Sequence, residues 1–267
     1  MKLIISFILS TLITANAARM SVFKGDIQEN TEEFPFLALL NIGNQVCTGS
    51  LVGLTKILGA GHCICQENLQ PEDVSVYLGV TDDRNTNTPY PVMSFIMPNE
   101  YRKICVASFK TPKINMVSGL DLSILTLGRS VVVEKQVGLG KMNFDHTVPV
   151  DTKVFLAGYG ADEDDQVKKQ GILRSGKLIV SSCFLESEQK QEMKDPICIT
   201  HDRFSIQVAG LGDSGAPLML VENKEIVGVV SGQMKVIIRT SYNHDIPMTF
   251  TVNSRLRTNE DFIKENL

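Results

Sequence analysis

Short runs of β-branched, aliphatic and aromatic residues recur along the whole chain with turn formers between them, and few architectures accommodate that pattern. The runs are Phe36 to Leu40, Gly49 to Leu58, Val74 to Val80, Pro91 to Met97, Leu122 to Leu127, Lys153 to Ala157, Gly171 to Val180, Ala216 to Leu220, Glu225 to Val230 and Met248 to Val252. Helical periodicity is read only at Thr258 to Asn266, with Thr258 as N-cap, and in a short stretch at Glu186 to Lys194. Strands without intervening helices predict closed β-structures rather than a βαβ enzyme. The remaining 250 residues after a leader would supply two barrels of roughly 110 to 120 residues each. Their seam is expected near Val131 to Lys141, dividing the chain into 18–135 and 136–267.

The chain of 267 residues is 43% hydrophobic and 21% charged, which excludes a low-complexity or disordered protein. With 26 Lys and Arg against 30 Asp and Glu, its net charge is -4, so neither nucleic acid nor an anionic membrane is an expected partner. The acidic run Asp162-Glu163-Asp164-Asp165 lacks the glycine-punctuated pattern of a calcium loop and reads as a solvated surface.

Met1 and Lys2 precede an apolar run, Leu3 to Ile13, which is followed by Ala15-Asn16-Ala17. That order predicts a secretory signal over residues 1–17, since the run is short of the roughly 20 apolar residues that span a bilayer. The mature protein is then expected outside the cell. All six cysteines, Cys47, Cys63, Cys65, Cys105, Cys183 and Cys198, lie beyond the leader. An even number in an oxidising compartment argues for three disulfides, with 15 pairings open. His62-Cys63-Ile64-Cys65 groups three potential zinc ligands, but no second cluster follows at zinc-finger spacing, so no metal is expected.

The densest chemical signal is Gly212-Asp213-Ser214-Gly215-Ala216-Pro217-Leu218. Small residues crowd a serine at a turn before a strand, and a glycine two positions earlier allows two backbone N–H groups to point at one oxygen. A nucleophilic serine needs a base with a pKa near neutrality. Of the four histidines, His62 follows an apolar stretch within Gly59-Ala60-Gly61-His62-Cys63, where small neighbours leave space around an imidazole. A sheltered carboxylate should hold that ring, and Asp121 opens the alternating strand Asp121 to Leu127.

Together these segments resemble the trypsin/chymotrypsin family of secreted serine endopeptidases, in its order of His, Asp and Ser. The resemblance runs from Phe34-Pro35-Phe36 through Cys47-Thr48-Gly49-Ser50-Leu51, Ala60-Gly61-His62-Cys63, Asp121-Leu122-Ser123-Ile124 and Gly158-Tyr159-Gly160 to Gly212-Asp213-Ser214-Gly215. It implies an all-β fold of two six-stranded antiparallel barrels with a short C-terminal helix. Ser214 becomes the nucleophile, His62 the general base and acid, Asp121 the orienting carboxylate, and Gly212 and Ser214 the oxyanion donors. Ser231 matches a strand serine that supports the aspartate and lines the substrate edge. The implied disulfides are Cys47–Cys63 and Cys183–Cys198, which leaves Cys65–Cys105. A protein or peptide substrate follows, a protein inhibitor is a further partner that the resemblance admits, and the chain is expected to act as a monomer without a cofactor.

The match departs from the family at two places. Val208 aligns with the base of the primary pocket, where trypsin-like members carry an aspartate, so tryptic specificity is not expected. Gly232 and Gln233 stand where most members have Trp-Gly, and Met248 aligns with a pocket glycine. Gln233 and Met248 are therefore expected to fill space and restrict the pocket to a small aliphatic side chain. Gly210 replaces the usual cysteine before the nucleophile. At the amino terminus, Val22-Phe23-Lys24-Gly25 occupies the place of the segment that activation frees to pair with Asp213, yet a cut after Arg19 would leave Met20 and Ser21 ahead of Val22. Two functions follow: a secreted serine endopeptidase with a restricted pocket, or a protease-like binding or regulatory protein with little or no activity.

Overall fold

The structure, a computed structural model, describes residues 25–83, 88–111, 116–145, 147–161, 171–183, 193–201, 209–239 and 245–267, with backbone alone at 235–239 and 245–248. The expected helix at Glu186 to Lys194 falls largely outside these residues.

Strands β2 (Leu37–Ile42), β3 (Gln45–Gly53), β4 (Lys56–Gly59), β5 (Val74–Leu78), β6 (Tyr90–Ile96) and β7 (Ser123–Leu127) close a first barrel in the order β2-β3-β4-β7-β6-β5. A second six-stranded barrel comprises β8 (Lys153–Gly158), β9 (Arg174–Ser181), β10 (Ile197–His201), β11 (Pro217–Leu220), β12 (Ile226–Arg239) and β13 (Asp245–Arg255). The pairing of β8 with β9 completes its circuit, and the two-residue β1 (Asp26–Ile27) adds to the outside of β9. Every pairing within the barrels is antiparallel, as expected for this fold. Closure removes the free edges that an open sheet would expose.

Period-two alternation distributes each strand between two cores. Leu40 and Ile42 of β2, Ile57 of β4 and Leu125 of β7 fill the first barrel. Their neighbours Leu37, Leu39, Leu58 and Ile124 turn outward into the seam, where they meet Tyr159, Met219, Ile226 and Val229 of the second half. Such burial contributes about 1.5–3 kcal/mol per large apolar side chain. Helix α2 (Glu260–Glu265) seals this seam through the fully buried Ile263.

Three elements differ from the sequence reading. Gly49 to Leu58, expected as one run, is a hairpin of β3 and β4 that reverses at Leu54 and Thr55. Strand β10 and the helix α1 (Asn99–Lys110) were not expected. Helix α1 follows Pro98, places Glu100 in its first turn and Lys110 in its last, and stops before Pro112, in keeping with its dipole and with proline's restriction of the preceding residue. Only Tyr101 and Cys105 on α1 are buried, so its apolar stripe is too narrow to stand out as a periodicity. Asn259 rather than Thr258 stands at the N-cap position of the terminal helix, and its amide, instead of capping the helix, donates to the carbonyls of Gly119 and Arg255.

Candidate active site

Pairing of β4 with β7 sets Gly59 opposite Ser123, and the chain segments leaving this pair carry His62 and Asp121. Ser123 Oγ donates to the Ala60 carbonyl at 2.9 Å, closing the corner between them. His62 begins a short 3-10 turn, and the Cys47–Cys63 disulfide ties that turn to β3.

Asp121 is fully buried. Its Oδ1 accepts the His62 backbone N–H at 2.8 Å, and its Oδ2 accepts His62 Nδ1–H at 2.7 Å and Ser231 Oγ–H at 2.6 Å. The Tyr101 hydroxyl donates to the Met116 carbonyl at 3.0 Å, and burial together with the charge of Asp121 holds its pKa well above the ordinary value. Burying a carboxylate is costly unless its lone pairs are filled, and here three donors from two parts of the chain, His62 and Ser231, converge on Asp121. Burial pulls the His62 pKa down, but the charge of Asp121 and its hydrogen bond overcome that and hold it above the ordinary value. The His62 side chain retains 18% exposure, so the ring remains open on one side.

Ser214 stands in the turn before β11. Thr48 N–H donates to the Ser214 carbonyl at 2.8 Å, and Gly215 N–H donates to Val230 at 2.9 Å. The sulfur of Cys63 lies 3.8 Å from the Ser214 carbonyl oxygen and 3.9 Å from His62 Nε2, so the serine and the imidazole share a neighbour. Among the described residues, no hydrogen bond joins the Ser214 hydroxyl to the ring. Such contacts are commonly loose without substrate and tighten around a reacting group.

Gly212 has φ +98°, a conformation that side chains rarely adopt, and a Cβ there would lie 2.8 Å from Gly160 Cα. Neither Gly212 N–H nor Ser214 N–H donates to an acceptor among the described residues. Asp213 is fully buried, accepting Gly160 N–H on Oδ1 at 3.0 Å and Gly210 N–H on Oδ2 at 2.8 Å. The amino-terminal segment expected to meet Asp213 lies outside the described residues.

A side-chain bond links residue 209, before the Ser214 turn, to the middle of β12: Gln233 Nε2 donates to the Ala209 carbonyl, and Ala209 N–H donates to Thr251 Oγ1 at 3.3 Å. A Cβ on Gly232 would lie 2.8 Å from Val117, which occupies the space over that glycine. Val208 lies outside the described residues, and Met248 is described by its backbone alone, paired with Val236.

The disulfides are Cys47–Cys63, Cys65–Cys105 and Cys183–Cys198. Both cysteines beside His62 are therefore engaged, and among the described residues no group of three His, Cys, Asp or Glu could hold a metal ion. Sequence reasoning missed Tyr101 and Thr48. A tyrosine 20 positions before an aspartate carries no spacing signal, and a threonine in a strand reads simply as a strand former.

The arrangement orients an imidazole through a buried carboxylate and sets the Ser214 turn against the same Cys63 sulfur, with two N–H groups of that turn free of acceptors among the described residues. A family model described as Trypsin matches residues 24–252. A cercarial protease of Schistosoma mansoni is 29% identical over 211 residues, covering 78% of each chain. A trypsin of Saccharopolyspora erythraea is 24% identical over 211 residues, covering 78% of this chain and 85% of its own. Among solved structures, a mutant of human heparin binding protein superposes with a TM-score of 0.67 at 18% identity, over 91% of this chain and 95% of its own. Human heparin binding protein without those two substitutions gives 0.64 over the same shares.

Proposed function

The chain belongs to the trypsin family, and on that footing we propose that it is a secreted serine endopeptidase with a restricted primary pocket. The observation that carries this reading is the buried Asp121, bonded at once to His62 Nδ1 and Ser231 Oγ beside the Ser214 turn. With Nδ1–H committed to a carboxylate, Nε2 keeps its lone pair for the Ser214 proton. Ser214 Oγ attacks the scissile carbonyl while His62 accepts that proton. The oxyanion draws on the N–H groups of Gly212 and Ser214, which have no competing acceptor among the described residues. The C–N bond then breaks as His62 returns the proton to the leaving amine, and water repeats the sequence on the acyl-enzyme.

The Gln233 bond to the Ala209 carbonyl supports a narrow pocket beside the nucleophile, suited to a small aliphatic side chain such as alanine. The leader over residues 1–17 supports export, and among the described residues no helix is long and apolar enough to cross a membrane. Asp213 is the carboxylate proposed to receive a newly freed amino terminus, and the mature enzyme is proposed to act as a monomer on protein or peptide substrates. Heparin binding, the property for which the structural neighbour is named, is not carried over, because a net charge of -4 works against holding a polyanion.

The test is covalent labelling of the mature protein by a fluorophosphonate, with Ser214→Ala as control and the amino terminus sequenced beforehand. Labelling of the parent alone supports the enzyme. A correctly processed parent that resists labelling favours a protease-like binding protein, a reading for which the bridged pocket is the specific observation.

A further inference from the structure

We propose that Thr48 is a positioning residue that locks the oxyanion-binding turn from the opposite barrel, an inference that rests on the protease reading of Ser214. Thr48 lies in β3, is fully buried, and contacts the turn through both its side chain and its backbone. Its hydroxyl donates to the Gly212 carbonyl at 2.7 Å and accepts Tyr159 N–H at 3.0 Å. Its own N–H donates to the Ser214 carbonyl at 2.8 Å. The carbonyls on either side of Asp213 and Ser214 are thus both held by one residue. Packing reinforces these bonds, since a Cβ on Gly215 would lie 2.2 Å from the Thr48 carbonyl oxygen.

The need for such a clamp follows from the glycine itself. Gly212 must be glycine to adopt φ +98°, but glycine also moves easily to other conformations. The peptide plane before it is fixed because Ala161 N–H donates to the Leu211 carbonyl at 2.8 Å. In a trans peptide the N–H points opposite to the carbonyl, so this bond aims Gly212 N–H to the other side. The plane after it is held on its carbonyl side by the Thr48 hydroxyl and on its N–H side by the bond from Asp213 to the Gly210 carbonyl at 3.1 Å. Rotation at Gly212 would therefore strand a buried carbonyl, and the hydroxyl supplies a restraint that glycine lacks. The hydroxyl makes no bond within β3 or its barrel, its partners being Gly212 and Tyr159 of the other half, so it serves the turn rather than the strand ladder.

The experiment compares the processed parent with Thr48→Val, which keeps the shape and removes the hydroxyl, and Thr48→Ser, which keeps the hydroxyl. An alanine-terminated peptide aldehyde, whose Ser214 adduct carries an oxyanion, is titrated against the corresponding peptide alcohol, which forms none. Loss of a whole oxyanion donor costs about 100- to 1000-fold, and a misaligned donor should cost about 10- to 100-fold. Thr48→Val should lose that factor in aldehyde affinity and in kcat, leave alcohol affinity and KM unchanged, and show a shifted Gly212 amide resonance. Thr48→Ser should restore all of these. Equal losses for aldehyde and alcohol, or a Ser variant that behaves like the Val variant, would overturn the proposal. The Gly212 resonance needs no catalysis: an unmoved signal in Thr48→Val removes the clamp even in an active enzyme. A parent that forms no aldehyde adduct instead removes the protease reading.

Discussion

His62 and Asp121 are joined twice, the imidazole Nδ1 to one carboxylate oxygen at 2.7 Å and the His62 backbone N–H to the other at 2.8 Å. The first bond sets the tautomer and the second fixes where the ring begins, so the imidazole is oriented from both ends. Because the carboxylate favours the charged ring, the His62 pKa stands above its ordinary value of about 6.5 despite the opposing effect of burial.

The sign of the resulting pH dependence is fixed. A base must be neutral, so kcat/KM should rise with pH through a midpoint above about 6.5. Stability runs the other way. The contribution of this pair is fully present below the unfolded-state pKa and is lost as pH rises through the folded-state value. Asp121→Asn should bring the kinetic midpoint down and cut kcat by about 10⁴-fold. A pH–rate profile of parent and variant checks both, and an identical midpoint in the two would sever the proposed link.

Replacing Gln233 by glycine should widen the space that its carboxamide bridges to Ala209. Pocket contacts worth one methylene discriminate about 10- to 200-fold. Gln233→Gly is therefore expected to gain at least about tenfold in kcat/KM on peptides with leucine or phenylalanine before the scissile bond. Alanine substrates should change little. A parent that already cleaves phenylalanine peptides as well as alanine peptides contradicts this.

The Cys65–Cys105 bond spans 40 residues and anchors α1, whose Tyr101 donates to the Met116 carbonyl and lies within the field of Asp121. Removing such a crosslink costs roughly 2–4 kcal/mol. The double variant Cys65→Ser, Cys105→Ser should melt at lower temperature and also lose kcat, because Tyr101 is no longer held. Calorimetry and steady-state kinetics test the two consequences separately; unchanged kcat at temperatures well below melting would show that α1 is merely structural.

Gly212→Ala should fold yet fail to label with a fluorophosphonate. Its Cβ would approach Gly160 Cα to 2.8 Å at a φ that alanine adopts with strain, forcing the turn to move. Circular dichroism matching the parent together with lost labelling is the expected pair of results, and a variant labelled at the parent's rate argues against an oxyanion role for this turn.

Local signals made much of the fold legible. Short β-forming runs marked β2 and β5 and alternation marked β7, while turn chemistry around Ser214 and the small residues beside His62 singled out the two segments that meet at Cys63. What stayed hidden depends on tertiary context. No strong turn former separates β3 from β4, so the apolar run read as continuous. Helix α1 buries two side chains and owes its position to a disulfide rather than to amphipathicity. Tyr101 and Thr48 matter through partners 20 and more positions away, and no periodicity encodes such a meeting.

His62 and Asp121 issue from the first barrel and Ser214 from the second, and a single apolar seam joins the two halves. A growing polypeptide therefore carries its base and its carboxylate long before it carries its hydroxyl. Under the protease reading, the chain is chemically silent during synthesis, and self-digestion can begin only after the second half has docked.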